Sequence, residues 1–235
     1  MSKKVEGVKM TRNQWHLNAK EKWDENAASW HSKSISNWHE GSRKDIVPFI
    51  KLHIPKGSKI ADLGCGDGYG SFRLWEEGYS VTGIDLSQKM IDLARKQEKE
   101  RLKFVQGDLS NIPFDEESFD GAMAINSLEW TSDPLHSLEE IRRIVKLKGL
   151  VCIGILGPTA HPRKNAFPRL RREEVICNTM MPWELEELVV QNGWEKIDEH
   201  WVYKKGVKPS LTESLSNELK QSLTFMTLFI FQRIQ

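Results

Sequence analysis

Between residues 57 and 156, short apolar runs alternate with stretches in which apolar residues recur every three or four positions. The apolar runs predict buried strands, and the periodic stretches predict amphipathic helices. The strands are predicted at 58–64, 79–85, 101–108, 119–126 and 150–156. Strands that alternate with helices in this way predict a parallel sheet that is covered by helices on both faces.

Local capping signals mark where the helices between these strands begin and end. Gly78 follows a helix predicted at 68–77, in the position where a C-terminal glycine is favoured. Ser87 is a suitable N-cap for the next helix, and Asp133 followed by Pro134 opens another. The apolar stripe of this last helix is predicted to comprise Leu135, Leu138, Ile141, Ile144 and Val145.

After residue 156 the regular alternation stops. Residues 157–181 contain several prolines and show no clear period, and loops of that length are uncommon unless they are functional. We therefore expect an insertion at about 157–183 to determine the substrate. The remaining elements are predicted as a helix at 182–192, a strand at 194–203, a helix at 211–221 and a strand at 223–234.

The first 55 residues form a separate, polar and mostly helical segment in this prediction. An apolar face near its end is predicted from Ile46, Val47, Phe49 and Ile50. The segment also carries the tryptophans Trp15, Trp23, Trp30 and Trp38. Two interpretations stay open: the tryptophans pack a helical cap onto the sheet, or they form a lid over a binding site.

Composition and charge narrow the class of protein. A chain of 235 residues with 39% hydrophobic and 29% charged residues suits one α/β domain with a small elaboration. Its net charge of +1 does not indicate binding to nucleic acid or to an anionic membrane. The run 223–231 is too short for a membrane helix, and the N-terminal residues lack the apolar region of a secretory signal.

The cysteines and histidines suggest neither a disulfide framework nor a metal site. Cys65, Cys152 and Cys177 are odd in number and unpaired in spacing, which is typical of reduced thiols in a cytoplasmic protein. No two of His31, His39 and His161 have a spacing that indicates a metal ion. We therefore expect a cytoplasmic protein that does not associate with a membrane and holds no metal.

The segment ADLGCGDGYG, residues 61–70, follows the first predicted strand and opens the first helix. Gly64 and Gly66 fit the first two positions of the dinucleotide-binding pattern G-x-G-x-x-G, but Tyr69 occupies the third. Asp62 at the strand end would repel a pyrophosphate and would suit a cationic ligand instead. Both departures argue against a nicotinamide-dependent oxidoreductase.

Acidic residues also follow the second and third strands. Asp85 stands where an acid accepts hydrogen bonds from ribose hydroxyls, and Asp108 could accept from an exocyclic amine with Leu109 against a flat ring. Because parallel strands bring their carboxyl ends to the same edge of a sheet, these acids and the glycine loop are predicted to share one site.

Four ordered blocks together resemble the class I S-adenosylmethionine-dependent methyltransferases, and best the subgroup called type 11. These blocks are 62–68, 83–87, 107–114 and 127–149. The resemblance covers roughly residues 40–156. It departs from the subgroup at Trp130, where histidine is common.

The resemblance implies a Rossmann-like fold, with a seven-stranded mostly parallel sheet, a reversed last strand, helices on both faces and an N-terminal helical lid. It implies residues 1–55 as the lid and 56–235 as the methyltransferase domain. It further implies S-adenosylmethionine as the cofactor. The cofactor residues expected on these grounds are Asp62, Gly64, Cys65, Gly66, Asp85, Leu86, Asp108, Leu109 and Asn126.

These residues have separate expected roles. The backbone of the glycine loop should face the methionine part, and Asp62 and the Asn126 carbonyl should meet its ammonium group. Asp85 should hold the ribose hydroxyls, while Asp108 and Leu109 should bracket the adenine. Arg43 is a further candidate, because a guanidinium can pair with the methionine carboxylate in a bidentate manner.

Candidates for the acceptor site and for catalysis are less specific. The acceptor candidates are Trp38, Trp130, Asn178 and Met181. The candidates for a general base are Glu129, His31 and His161. Each of these residues also has an ordinary structural interpretation, as a packed aromatic, a helix entry or a surface side chain.

We therefore predict a methyltransferase that acts on a small molecule by in-line displacement at the sulfonium methyl group. One alternative is an RNA methyltransferase, for example one acting on tRNA, with the basic stretch 161–174 on phosphates. The other is a non-catalytic regulator that binds the same cofactor. The near-neutral charge favours the small molecule.

Overall fold

The computed structural model describes residues 10–235, which form a seven-stranded mixed sheet with helices on both faces. The first nine residues of the predicted lid lie outside this range. The strands are β1 Lys59–Leu63, β2 Ser80–Asp85, β3 Leu102–Gln106, β4 Phe119–Ile125, β5 Val145–Leu156, β6 Trp194–Tyr203 and β7 Thr224–Arg233. The helices are α1 Arg12–His39, α2 Ile46–His53, α3 Tyr69–Glu76, α4 Gln88–Ala94, α5 Pro134–Ile144, α6 Pro182–Val190 and α7 Asn217–Ser222.

The sheet order is β3-β2-β1-β4-β5-β7-β6. All neighbouring strands are parallel except at β7, which is antiparallel to both β5 and β6. This order confirms the predicted Rossmann-like sheet with a reversed last strand. Strand β1 lies between β2 and β4. The strand order reverses at this point, because β2 and β3 lie on one side of β1 and β4 lies on the other. A crevice therefore opens beyond the carboxyl ends of these strands.

Two apolar clusters cover the two faces of the sheet. One joins α2, α3 and α4 to the sheet, and it includes the predicted inward residues Ile46, Val47, Phe49 and Ile50. The other joins α5 and α6 to the opposite face through Leu138, Ile141, Leu185 and Trp194. None of the described helices is both long enough and apolar enough to cross a membrane.

The capping predictions are confirmed at two helices. The Ser87 hydroxyl accepts a hydrogen bond from the amide of Met90, and the Asp133 carboxylate accepts one from the amide of His136. Inclusion of Leu135 in the α5 stripe was wrong, because its side chain is 38% exposed. Residues three apart differ by about 60° around an α-helix. Leu135 precedes Ile144 by three such steps, so the two side chains point in opposite directions.

Three further segments differ from the prediction. Strand β5 begins at Val145 rather than at 150, because Val145 already pairs with Phe119 of β4, and the register shifts before Leu150 pairs with Gly121. The helix predicted at 211–221 is only α7, since Ser216 caps it through the amide of Leu219. The insertion contains a run of 3-10 turns at His161–Arg171, where proline precludes a regular α-helix.

Candidate active site

A cavity lies beyond the carboxyl ends of β1, β2 and β4, and helix α1 covers it. The space among its lining residues, which includes some open solvent, is about 930 Å³. All ten predicted cofactor residues and two of the four acceptor candidates line it. These are Asp62, Gly64, Cys65, Gly66, Asp85, Leu86, Asp108, Leu109, Asn126, Arg43, Trp38 and Trp130.

The glycine loop is already folded around its own hydrogen bonds. The amides of Gly64 and Cys65 both donate to the carbonyl of Ile84, at 2.8 and 3.0 Å. Gly64 has φ +78°, and a Cβ there would lie 2.6 Å from the Cβ of Ser127. Glycine is therefore required at this position by both the left-handed backbone and the neighbouring loop after β4.

Asp85 connects the glycine loop to the start of α4. One of its oxygens accepts from the amide of Gly66 at 2.8 Å, and the other accepts from the amide of Ser87 at 2.9 Å. Burial raises the pKa of Asp85 to about 6, although these amide hydrogen bonds act in the opposite direction. Asp85 therefore holds the two loops that face the cavity at a fixed separation.

Asp62 is only 3% exposed and accepts a 2.6 Å hydrogen bond from the hydroxyl of Ser71. Burial, with smaller contributions from the negative charges of Asp85 and Asp67, raises the pKa of Asp62 to about 7, although the Ser71 hydrogen bond and Arg43 act to lower it. A cationic group in the cavity would favour the ionised carboxylate, which burial alone disfavours.

Arg43 lies in the segment between α1 and α2, and 9% of its surface is exposed. Its guanidinium carbon lies 4.7 Å from the ring centroid of Trp30 and 5.6 Å from that of Trp38. Burial lowers the pKa of Arg43 to about 10, against the attraction of nearby acids that include Asp62. Among the described residues its guanidinium has no hydrogen-bonding or ion-pair partner, so the side-chain N–H donors are available in the cavity.

Helix α1 places one face over the cavity, with His16, Trp23 and Trp30 spaced seven residues apart. His16 was not among the predicted site residues, but its Nδ1 lies 3.0 Å from the Asp108 carboxylate. A spacing of seven residues puts side chains on the same helix face, and this signal was present in the sequence. What the sequence lacked was any indication that this face meets Asp108.

Several contacts hold α1 against the domain. The Asp24 carboxylate accepts from the Ser87 hydroxyl at 2.5 Å and from the amide of Lys89 at 3.2 Å. The indole N–H of Trp15 donates to the carbonyl of Trp130 at 2.8 Å. The helix is thereby attached at the loops that follow both β2 and β4.

The histidine candidates for a general base lie away from the cavity lining. The Nδ1 atom of His31 lies 2.7 Å from the Asp67 carboxylate, and 47% of the His31 side chain is exposed. His161 is exposed at the start of the 3-10 segment. Neither residue reaches the cavity in this arrangement, and their catalytic assignment stays a prediction.

The two acceptor candidates in the insertion also lie outside the cavity lining. Asn178 donates from its side chain to the carbonyl of Thr131 and from its amide to the carbonyl of Glu129, both at 2.7 Å. Met181 precedes α6, and its amide donates to Glu184 at 2.6 Å. These contacts attach the insertion to the loop after β4, and a substrate role for either residue stays a prediction.

Glu129 is 2% exposed, and neither of its carboxylate oxygens has a hydrogen-bond partner among the described residues. Burial raises the pKa of Glu129 to about 7, while Arg163 and Arg43 act to lower it. The carboxylate therefore lies between the cavity, where Arg43 is located, and the insertion, where Arg163 is located. A buried carboxylate without partners is costly and calls for a functional explanation.

A glycine loop, acids on successive parallel strands and a reversed strand near the sheet edge are features of the Rossmann-like fold of methyltransferases. Comparison with known proteins agrees, because a family model described as a methyltransferase domain matches residues 61–153. Residues 61–153 are thus similar to methyltransferase domains of the type 11 kind.

Two curated relatives illustrate the sequence similarity. Demethylmenaquinone methyltransferase from Lactococcus lactis is 38% identical over 135 residues, which are 54% of this chain and 51% of that protein. The biotin biosynthesis bifunctional protein BioHC from Cellvibrio japonicus is 28% identical over 139 residues, 59% of this chain and 28% of that protein. The chain therefore spans about half of one relative and less than a third of the other.

A solved structure shows the similarity of the fold over a longer range. It is a methyltransferase from Haloferax volcanii in complex with the Trm112 methyltransferase activator. The TM-score is 0.72 with 22% sequence identity, and the match covers 92% of this chain and 97% of that one. At this identity the match establishes a shared fold only.

Proposed function

We propose that the protein transfers the methyl group of S-adenosylmethionine to a small-molecule acceptor. The observation that carries this proposal is the convergence of Asp62, Asp85 and Asp108, from three strand ends, on one cavity beneath α1. The cofactor supplies an activated methyl group on a sulfonium, so the protein mainly has to bind and orient the two reactants.

The residues around the cavity fit the charges of this cofactor. The methionine part carries an ammonium and a carboxylate. Asp62 and the unpartnered Oδ1 of Asn126 suit the ammonium, and the unpaired Arg43 guanidinium suits the carboxylate. Asp85 would hold the ribose hydroxyls, with Leu86, Asp108 and Leu109 around the adenine and the backbone of Gly64, Cys65 and Gly66 beside the methionine chain.

A small acceptor agrees better than RNA with the contacts of the insertion. Arg163 donates to the carbonyls of Gly157 and Met180, both at 2.7 Å, and Arg169 donates to the carbonyl of Ala166 at 2.7 Å. These two arginines of the basic stretch are thus engaged within the fold. The names of the relatives, which concern menaquinone and biotin synthesis, also favour a small molecule.

Calorimetric titration with S-adenosylmethionine and with its demethylated product tests cofactor binding. We expect Asp85→Asn to weaken cofactor binding by at least about tenfold, because the amide has one oxygen that accepts hydrogen bonds where the carboxylate has two. Asp115→Asn is the matched control, since Asp115 is exposed and does not line the cavity. Thermal denaturation of each variant verifies that it is folded.

The same protein then serves to distinguish the acceptor classes. Radiolabelled cofactor is incubated with a panel of small hydroxyl and amino compounds and, separately, with tRNA. Transfer to a small compound supports the proposal, and transfer only to tRNA overturns its acceptor. Cofactor binding without transfer to any acceptor supports the non-catalytic alternative. Absence of binding by the folded wild type overturns the proposed function as a whole.

A further inference from the structure

The loop that follows β4 contains four buried oxygen atoms without a hydrogen-bond partner among the described residues. They are Asn126 Oδ1, Ser127 Oγ and both carboxylate oxygens of Glu129. Buried polar atoms are normally paired, because leaving one unpaired costs its full desolvation penalty. Four such atoms within four residues indicate that this loop presents acceptors to a molecule that is not part of the chain.

Two of the three residues that carry these atoms line the cavity, and the third lies between lining residues along the chain. Asn126 and Ser127 line the cavity directly, and Ser127 is 9% exposed and lies against the glycine loop at Gly64. Glu129 lies farther along the loop, one residue before Trp130, which also lines the cavity. Since the proposed function assigns the Asn126 side chain to the cofactor ammonium, Ser127 and Glu129 remain for a second molecule.

Three tryptophan rings form an aromatic wall next to this loop. The ring of Trp23 lies edge-to-face with Trp130 at a centroid distance of 5.0 Å and with Trp30 at 5.9 Å. All three rings line the cavity. Trp30 and Trp23 belong to α1, so the wall forms where the lid meets the loop after β4. A flat molecule fits such a wall, because its faces and edges can contact the rings.

We propose that Ser127 and Glu129, beside the aromatic wall of Trp23, Trp30 and Trp130, form the acceptor subsite of this enzyme. The acceptor is a flat small molecule that carries a hydroxyl or an amino group. This assignment rests on the proposed methyl transfer, and it adds the class of acceptor and the residues that select it.

The polarity of the unpaired atoms determines the class of acceptor. An ionised carboxylate only accepts hydrogen bonds, and a serine hydroxyl both accepts and donates. An N–H or O–H group on the second molecule would satisfy Glu129, whereas an ether or a tertiary amine would leave it unpaired. Methyl transfer to a hydroxyl breaks the sulfur–methyl bond, forms an oxygen–methyl bond and releases the hydroxyl proton, so the ether product has no donor left. A primary amine loses one proton in the same way and keeps one N–H, so the subsite would distinguish the acceptor from its product fully only for a hydroxyl acceptor.

The test uses the full chain saturated with the demethylated cofactor and four ring compounds of similar size. Phenol and aniline carry a donor, while anisole and N,N-dimethylaniline do not. Ligand-observed NMR titration gives the affinity of each compound. At pH 8, where Glu129 with its pKa of about 7 is mostly ionised, we expect phenol to bind at least about tenfold more tightly than anisole, or aniline than N,N-dimethylaniline, as a hydrogen bond to a charged group provides. Comparison of phenol with aniline then distinguishes a hydroxyl from an amino acceptor.

Two variants assign the selectivity to named side chains. Glu129→Met keeps the length of the side chain and removes its acceptors, and we expect it to lose the preference for donor-bearing rings. Ser127→Ala is the second variant, and we expect it to reduce the preference without abolishing it. Glu139→Met is the control, because the Glu139 side chain is 49% exposed and lies on α5 outside the cavity lining.

Retained affinity for the demethylated cofactor shows that each variant is folded and that the cofactor site is intact. Equal affinity of the wild type for all four rings overturns the acceptor subsite while leaving the proposed methyl transfer standing. A preference that persists undiminished in both Glu129→Met and Ser127→Ala also overturns it. Failure of the wild type to bind the demethylated cofactor instead overturns the proposed function.

Discussion

The raised pKa of Asp62 makes a quantitative prediction about stability. In the ligand-free protein its pKa is raised from 3.8 to about 7, mainly by burial. Between these values the folded protein holds a proton that the unfolded chain has released. Stability therefore falls as the pH rises from about 4 to about 7, and the loss is complete above the folded pKa.

The size of this effect follows from the shift. Each pKa unit corresponds to about 1.4 kcal/mol, so an ionised Asp62 costs the folded state about 4 kcal/mol at high pH. Part of the cost is already present at pH 5, where most of the unfolded chain is ionised at this position. Between pH 5 and pH 8 the cost grows by about 3 kcal/mol.

Asp62→Asn removes the titration while keeping an oxygen that accepts from the Ser71 hydroxyl. We expect the variant to gain about 3 kcal/mol relative to wild type when the pH is raised from 5 to 8. Urea-induced unfolding of the ligand-free proteins at both pH values measures this difference, with Asp115→Asn as the surface control. A stability difference between variant and wild type that is the same at both pH values would refute the reasoning.

Two further predictions concern the glycine loop and the lid. Gly64→Ala should destabilise the protein by about 2 kcal/mol or more in thermal denaturation, since it adds a clash with Ser127 to a strained φ of +78°. Gly206→Ala, with φ +96° and open space around it, should cost only the backbone strain, and equal losses in both variants would contradict the clash. Asp24→Ala removes the acceptor of the Ser87 hydroxyl, so α1 should be cleaved faster in limited proteolysis and stability should fall by about 1–2 kcal/mol. Unchanged proteolysis would mean that the remaining contacts hold the lid.

The elements of the fold could be predicted because their signals are local. A strand predicted at 194–203 is β6 Trp194–Tyr203, and the caps at Ser87 and Asp133 make the expected hydrogen bonds. The spacing of buried residues, the caps of helices and the residues of turns are each recognised within a few positions of the chain. Errors arose where a local signal was ambiguous. Leu135 is an example, because apolar residues that are spaced three apart do not stay on one face of an α-helix along its whole length.

The acids of the candidate site were also accessible from the sequence. Parallel strands align their carboxyl ends, so residues that follow successive strands meet at one edge without further information. This is why Asp62, Asp85 and Asp108 line one cavity, as predicted. Their pKa values, in contrast, depend on burial, which the pattern of residues around each acid does not specify.

The sequence by itself determined the strands, the helices and the edge at which the acids meet, and it carried the resemblance to one class of methyltransferases. Only the tertiary structure decided that α1 covers the cavity, that His16 meets Asp108, and that Glu129 is buried without a partner. The physical reason is the range of the interactions. A hydrophobic period indicates which face of an element is buried, but the partner of that face comes from distant segments that pack together only when the whole chain folds.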